Sequence, residues 1–135
     1  MRILLTLSLV IAVTLLGGCA NAPSQSNKLE GGYRLTSLQN NDIPQNIVIL
    51  IRVGEGTLSG KGPVNQWSAQ IQDGQVGGMI STRMAGSPAL MQIEAQLFDA
   101  LIESRIKSNG NERIIFVKKK QTVAEALLIE PSANR

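Results

Sequence analysis

The sequence lacks histidine and has one cysteine, Cys19, in 135 residues. Histidine is the commonest metal ligand and a frequent general base near neutral pH, so its absence argues against the usual catalytic and metal sites. A single cysteine cannot form a disulfide within the chain, and if Cys19 carries lipid no thiol remains in the mature protein. We therefore expect a protein that is not an enzyme, with no catalytic residues, no metal ion and no cofactor.

A strong excess of charge of either sign is also missing. The chain has 13 Lys and Arg against 10 Asp and Glu, a net charge of +3 that falls to +2 when Arg2 is removed. Binding to nucleic acid depends on many contacts from Lys and Arg to phosphates. A balance this small therefore predicts no nucleic-acid partner.

The one long hydrophobic run, residues 3–16, lies at the N-terminus. It is shorter than the roughly 20 residues that a membrane-spanning helix needs, and it is typical of the core of a signal peptide. Leu16, Gly17, Gly18 and Cys19 follow, and this pattern resembles a bacterial lipobox. The resemblance implies diacylglycerol on the Cys19 thiol and cleavage between Gly18 and Cys19. The alternative is an ordinary signal peptide with a chance cysteine.

The lipobox also predicts where the protein resides. Ala20, rather than Asp, follows the cysteine, which in enteric-type bacteria favours the outer membrane. Several acyl chains anchor a protein stably, because each buried CH₂ contributes about 0.8 kcal/mol. We expect a signal peptide (1–18), a lipid anchor and tether (19–31), a folded domain (32–130) facing the periplasm, and a tail (131–135).

Most of the folded domain alternates apolar and polar residues in the manner of strands. Strands are predicted at residues 32–38, 46–53, 57–62, 65–72, 76–84, 113–118 and 123–130. The near-continuous apolar run at 46–53 predicts burial on both faces or cover by the tether. One helix is predicted, with Ser87 as N-cap, Pro88 at its first position and an end after Ile106. This order predicts an α+β fold, a curved antiparallel sheet that forms a partly open barrel around one helix.

The segment from Gly60 onward resembles the META domain, the family of the heat-shock lipoprotein HslJ. That family carries G-x-x-G-C-N and an aromatic residue, then T-x-M-A-C, a linker with proline and a helix with a glutamate. The residues that match are Gly60, Asn65, Trp67, Thr82, Met84, Ala85, Pro88 and Glu94. The family's two cysteine positions fall on Val64 and Gly86, and their joint absence is expected if those cysteines pair when present.

Several of these residues have two interpretations. Thr82, Arg83 and Met84 either line a binding site, or Met84 lies in the core and its neighbours end the strand. Glu94 is either a general base or, as we favour, a carboxylate stabilised by the helix dipole and paired with Arg83 or Arg113.

Three other features are open in the same way. Asn65 is expected to satisfy turn backbone. Trp67 is expected to anchor the core, although an indole also suits a partner interface. Lys118, Lys119 and Lys120 either contact anionic head groups or form a solvated hairpin tip, and we favour the second interpretation.

The expected function follows from an opening between helix and sheet. Met79, Met84 and Met91 either line an apolar groove for a lipid tail or an envelope protein, or fill a closed core. The META resemblance implies a non-enzymatic role in envelope stress or integrity through binding. The alternative is a pilot lipoprotein that binds and chaperones the outer-membrane secretin of a secretion system.

Overall fold

The computed structural model describes residues 29–131. The predicted signal peptide, its cleavage at Gly18, the lipid on Cys19, most of the tether and residues 132–135 lie outside the described residues. The strands are β1 (Gly31–Leu38), β2 (Asn41–Asp42), β3 (Leu50–Gly54), β4 (Thr57–Lys61), β5 (Gln66–Gln72), β6 (Gln75–Ser81), β7 (Arg105–Ser108), β8 (Arg113–Lys118) and β9 (Gln121–Pro131). The helix α1 (Pro88–Leu101) lies between β6 and β7.

The sheet is a closed antiparallel barrel. Its strand order is β2-β1-β3-β4-β5-β6-β7-β8-β9, and β1 also pairs with β9, which joins the two ends. The short β2 pairs only with the end of β1, so the remaining eight strands form the barrel. The expected curved sheet around one helix is confirmed. The prediction that the barrel is partly open was wrong, because β1 and β9 pair along most of their length.

The alternation of apolar residues places the core inside the barrel. In β3 and the residue before it, Ile49, Ile51 and Val53 are buried while Leu50 is 40% exposed. Of the two alternatives for 46–53, burial of both faces was therefore wrong, since only one face of the segment points inward, and cover by the tether falls mostly outside the described residues. The core also contains Tyr33, whose hydroxyl donates to the Leu29 carbonyl at 2.8 Å and whose pKa is raised by burial.

Helix α1 begins as the sequence predicts. Ser87 is the N-cap, its hydroxyl accepting from the Leu90 N–H, and Pro88 opens the first turn. Leu97, Ala100 and Leu101 are buried and join the barrel core, while α1 contacts β1, β8 and β9. Among residues 29–131, no helix is long and apolar enough to cross a bilayer.

The helix ends five residues before Ile106, at Leu101, so the prediction of its end was wrong. Glu103 has a positive φ of 64°, which turns the chain out of the helix. The buried Ser104 hydroxyl then donates to the Leu101 carbonyl at 2.6 Å. Ile106 lies instead in β7, where its side chain is buried in the barrel.

The weakest boundary in the barrel is the β6–β7 seam. Its register consists of one pair, Gln75 with Arg105. Three flanking backbone hydrogen bonds support it, from Val76 to Ser104, from Glu103 to Val76 and from Ile106 to Gly74. Beyond Val76 the two strands separate, so within residues 29–131 the segment 77–81 has a strand partner on its β5 side only.

Candidate functional site

A buried hydrogen-bond network joins the β4–β5 loop, the segment after β6 and α1. The Glu94 carboxylate accepts from the backbone N–H groups of Val64 (3.1 Å) and Asn65 (2.7 Å) and from the Asn65 side-chain amide. The Asn65 side-chain oxygen in turn accepts from the Thr82 hydroxyl (2.8 Å) and the Met84 N–H (2.7 Å). Asn65 therefore links three segments, a larger role than the turn residue that was predicted.

This network stabilises the fold and does not present the Glu94 carboxylate to solvent. Glu94 is 3% exposed, and both of its oxygens accept hydrogen bonds from within the fold. The predicted ion pairs with Arg83 and Arg113 are absent among the described residues, and Arg113 instead lies 3.6 Å from Glu125. Backbone N–H groups, rather than an arginine, stabilise this carboxylate.

Two glycines allow the segments to approach closely. A Cβ at Gly62 would lie 2.7 Å from the Glu94 Oε2 atom, so a larger residue would displace the carboxylate. A Cβ at Gly86 would lie 2.5 Å from Val64 Cγ2 and 3.5 Å from Val64 Cβ. Val64 and Gly86, the two positions on which the resemblance places the family's cysteines, therefore lie next to each other here.

Trp67 lies next to this network and anchors the core, as predicted. Its side chain is 3% exposed, and its ring meets that of Phe98 edge-on with centroids 6.4 Å apart. A Cβ at Gly60 would lie 2.5 Å from the indole Cζ2 atom, so this position of β4 has room only for glycine. Within residues 29–131 the indole N–H has no hydrogen-bond partner.

A groove runs between β6 and α1, and we call it the β6–α1 groove. At its first end, a cavity of about 430 Å³ lies above the Asn65–Glu94 network. The apolar lining of this end consists of Met84, Ala85, Met91, Ala95 and Phe98, and Arg83 lies at its margin. Met84 is 60% exposed and Met91 is 38% exposed. The expectation that Met84 lies in the core was therefore wrong.

A different pocket borders the first half of β6. A second cavity of about 620 Å³ lies there, bordered by Gly77 and Gly78 on β6 and by Ile102 and Glu103 beyond α1. Among the described residues, none lines both cavities. Met79 does not line either of them, because its partly buried side chain packs against the core.

The remaining candidates lie away from the groove. Lys119 and Lys120 form the tip of the β8–β9 hairpin, where both have positive φ and both side chains are exposed. Lys118 donates to the Asp99 carbonyl at 2.7 Å and so ties that hairpin to α1. Between residues 29 and 131, no group of His, Cys, Asp and Glu is arranged to hold a metal ion.

Comparisons with known proteins agree with this architecture. The model of a family described as META domain matches residues 26–127. One NMR structure is 20% identical with a TM-score of 0.56, covering 73% of this chain and 89% of its own. Another, of a protein from Burkholderia xenovorans, is 18% identical with a TM-score of 0.58, covering 90% and 94%. At these identities the likeness is one of fold. No curated protein matches the chain.

Proposed function

The chain belongs to the META domain family, and we propose that it is a lipid-anchored binding protein of the bacterial outer membrane that acts without catalysis. The β6–α1 groove is the observation that carries this proposal. It exposes Met84 and Met91 beside a floor held by hydrogen bonds, a combination that suits binding of an apolar ligand. The polar groups of the floor are engaged with each other, which favours binding over proton transfer.

The location rests on the N-terminal sequence. Residues 16–19 match a lipobox, and Ala20 follows the cysteine. In this proposal the lipid on Cys19 holds the barrel at the periplasmic face of the outer membrane. The domain then takes part in envelope stress or integrity by binding an envelope protein or a lipid tail in the groove.

The anchor is tested by substituting the cysteine. Cys19→Ser is expected to abolish labelled-palmitate incorporation and to release the protein from membranes or leave it unprocessed, because serine cannot form the thioether. Ala20→Asp is the matched variant, which should keep the lipid and lower the outer-membrane share. Palmitate labelling, mature mass and membrane fractionation are the measurements. Unchanged labelling and membrane retention in Cys19→Ser would show that the anchor is not at this residue.

Binding in the groove is tested with a fluorescent fatty acid and with apolar peptides, including secretin peptides. The emission of Trp67 reports on the groove because its ring contacts Phe98, which lines it. Met84→Asp should weaken binding, whereas Val48→Asp, at an apolar position that is 51% exposed away from the groove, should not. Equal binding by both variants would remove the groove from the proposal, and a response to secretin peptides alone would favour the pilot function.

A further inference from the structure

One side of β6 keeps unpaired backbone groups along the groove. The Thr82 N–H donates to the Gln66 carbonyl, so residues 82 and 80 direct their backbone groups towards β5. In an antiparallel ladder the alternate residues point the other way, and these are Met79 and Ser81. Within residues 29–131, neither residue has a backbone or side-chain hydrogen bond on that side, and the β6–β7 register stops at Gln75.

The chain around this edge keeps it open and uncharged. β6 leaves β7 beyond Val76, and a register shift between Ala69 and Ile71 marks an irregularity of the β5–β6 pair beside Gly77 and Gly78. No residue of β6 is charged, so the lysines that usually guard an exposed edge are missing. The opposite wall of the groove is apolar at Met91, Ala95 and Phe98.

We propose that β6 binds an extended segment of a partner protein by strand addition at Met79 and Ser81, inside the β6–α1 groove. This inference rests on the proposed function and names its ligand. The repeating N–H and C=O groups of an added strand match the two-residue spacing of the free groups on β6. Apolar side chains at alternate positions of the segment pack on Met84, Met91 and Phe98.

The charges at the two ends of β6 predict the orientation of the bound partner segment. Arg83 is exposed at the first end of the groove, and among the described residues it takes part in no ion pair. The N-terminus of α1 adds partial positive charge at the same end. Near the other end of β6 the second cavity is lined by two acidic residues, Asp73 and Glu103, and one basic residue, Arg105, so an acidic group is not favoured there. The segment therefore places an acidic group beside Arg83.

The probe is a blocked peptide of alternating Thr and Val with one terminal Glu, added at millimolar concentration. The protein is the chain without residues 1–19, which retains the whole barrel and its core. We expect hydrogen exchange of the Met79 and Ser81 amides to slow about tenfold on binding. A peptide N-methylated at the amides that face β6 is the matched control and should not bind, because it cannot pair with the edge.

Two substitutions at one position separate backbone pairing from side-chain contact. Ser81→Pro removes the N–H that faces the groove and leaves the β5 ladder intact, a position where a strand tolerates proline. Ser81→Ala keeps that N–H. We expect the proline variant to lose the probe and the alanine variant to bind it normally. Amide spectra of the free variants show whether each is folded. The N-methylated peptide tests the same backbone pairing on the unaltered chain, so the test does not depend on the folding of the proline variant.

The outcomes are distinct. Equal binding of the N-methylated peptide, or unchanged exchange at Met79 and Ser81, overturns strand addition. Binding of the fatty acid without the peptide overturns this inference and leaves the proposed function standing. If neither ligand shifts a groove resonance, both fail. A doubled molecular mass with both amides protected in the free protein would assign the edge to a second copy and would also overturn the inference.

Discussion

At the scale of single residues, Asn65 and Glu94 hold the β4–β5 loop and the chain at Thr82 and Met84 in place beside α1. Glu94 accepts two backbone N–H groups from the β4–β5 loop, and Asn65 holds the chain at Thr82 and Met84. Met84 lines the groove, and its N–H is held by Asn65, which in turn donates to Glu94. The position of Met84 therefore depends on the Glu94 carboxylate of α1, which is 3% exposed. The buried pair thus couples the stability of the fold to the shape of the binding surface.

Glu94→Gln tests this coupling. Glutamine replaces one acceptor oxygen with a donor, so at least one of the three facing donors loses its partner. The expected cost is about 1–3 kcal/mol in the free energy of unfolding. Urea unfolding followed by Trp67 fluorescence measures it. Glu55→Gln, an exposed turn position, is the control and should change stability by less than about 0.5 kcal/mol. Equal midpoints for both variants would mean that the network contributes little.

Val64 and Gly86 allow a second test at the residue scale. A Cβ built on Gly86 lies 3.5 Å from Val64 Cβ, at the short end of the range found in disulfides. Val64→Cys with Gly86→Cys, in protein without residues 1–19, should form a disulfide on oxidation. Closing a loop of about 20 residues is expected to stabilise the fold by about 3 kcal/mol. Thiol titration and unfolding with and without reductant measure this. Two free thiols after oxidation would contradict the geometry.

At the scale of elements, strands with clear alternation could be predicted from the sequence. The predictions for β1, β4, β5 and β8 agree with the structure to within one residue at each end. Alternation is a property of the local sequence, so it can be recognised without knowing which strands pair. β7 could not be found in this way, because Ile102 and Ile106 continue the helical spacing of the residues before them. What ends α1 is the turn at Glu103 and the buried Ser104, and neither is a standard stop signal.

The candidate site was predictable only in its parts. The resemblance selected Asn65, Thr82, Met84 and Glu94, but nothing in their spacing pairs residues 65 and 94. That pairing arises because the fold brings the β4–β5 loop against α1, although the two residues are 29 positions apart in the chain. The free edge of β6 could not be predicted from the sequence either, because it depends on where β7 stops pairing with β6.

Leu97→Ala tests the orientation of α1. Leu97 is 0% exposed inside the core, so truncation should cost about 2–5 kcal/mol through lost burial and a cavity. Gln96→Ala, at the exposed neighbouring position, should cost less than about 0.5 kcal/mol. Urea unfolding of the two variants in parallel gives both values. Similar costs at the two positions would mean that this face of α1 does not carry the core contacts.

At the scale of the whole molecule, closure of the barrel is uneven. The β1–β9 pairing joins seven residue pairs, whereas the β6–β7 seam has one. The groove lies at the end of β6 that is beyond the weaker of these two boundaries. A barrel built in this way can keep a rigid core and still leave one strand edge accessible.

The last prediction follows from this unevenness and concerns native-state hydrogen exchange. The amides of Val76, Glu103 and Ile106 bridge the seam, and separation of β6 from β7 exposes them while the β1–β3 and β1–β9 pairings stay intact. They should exchange through local opening, with a free energy below that of global unfolding and little dependence on low urea. The Leu35 amide, which donates to the Ile49 carbonyl within the core, should exchange only on global unfolding. If all four amides show the same opening free energy and urea dependence, the barrel opens only as a unit. The groove would then admit ligands through side-chain motion alone.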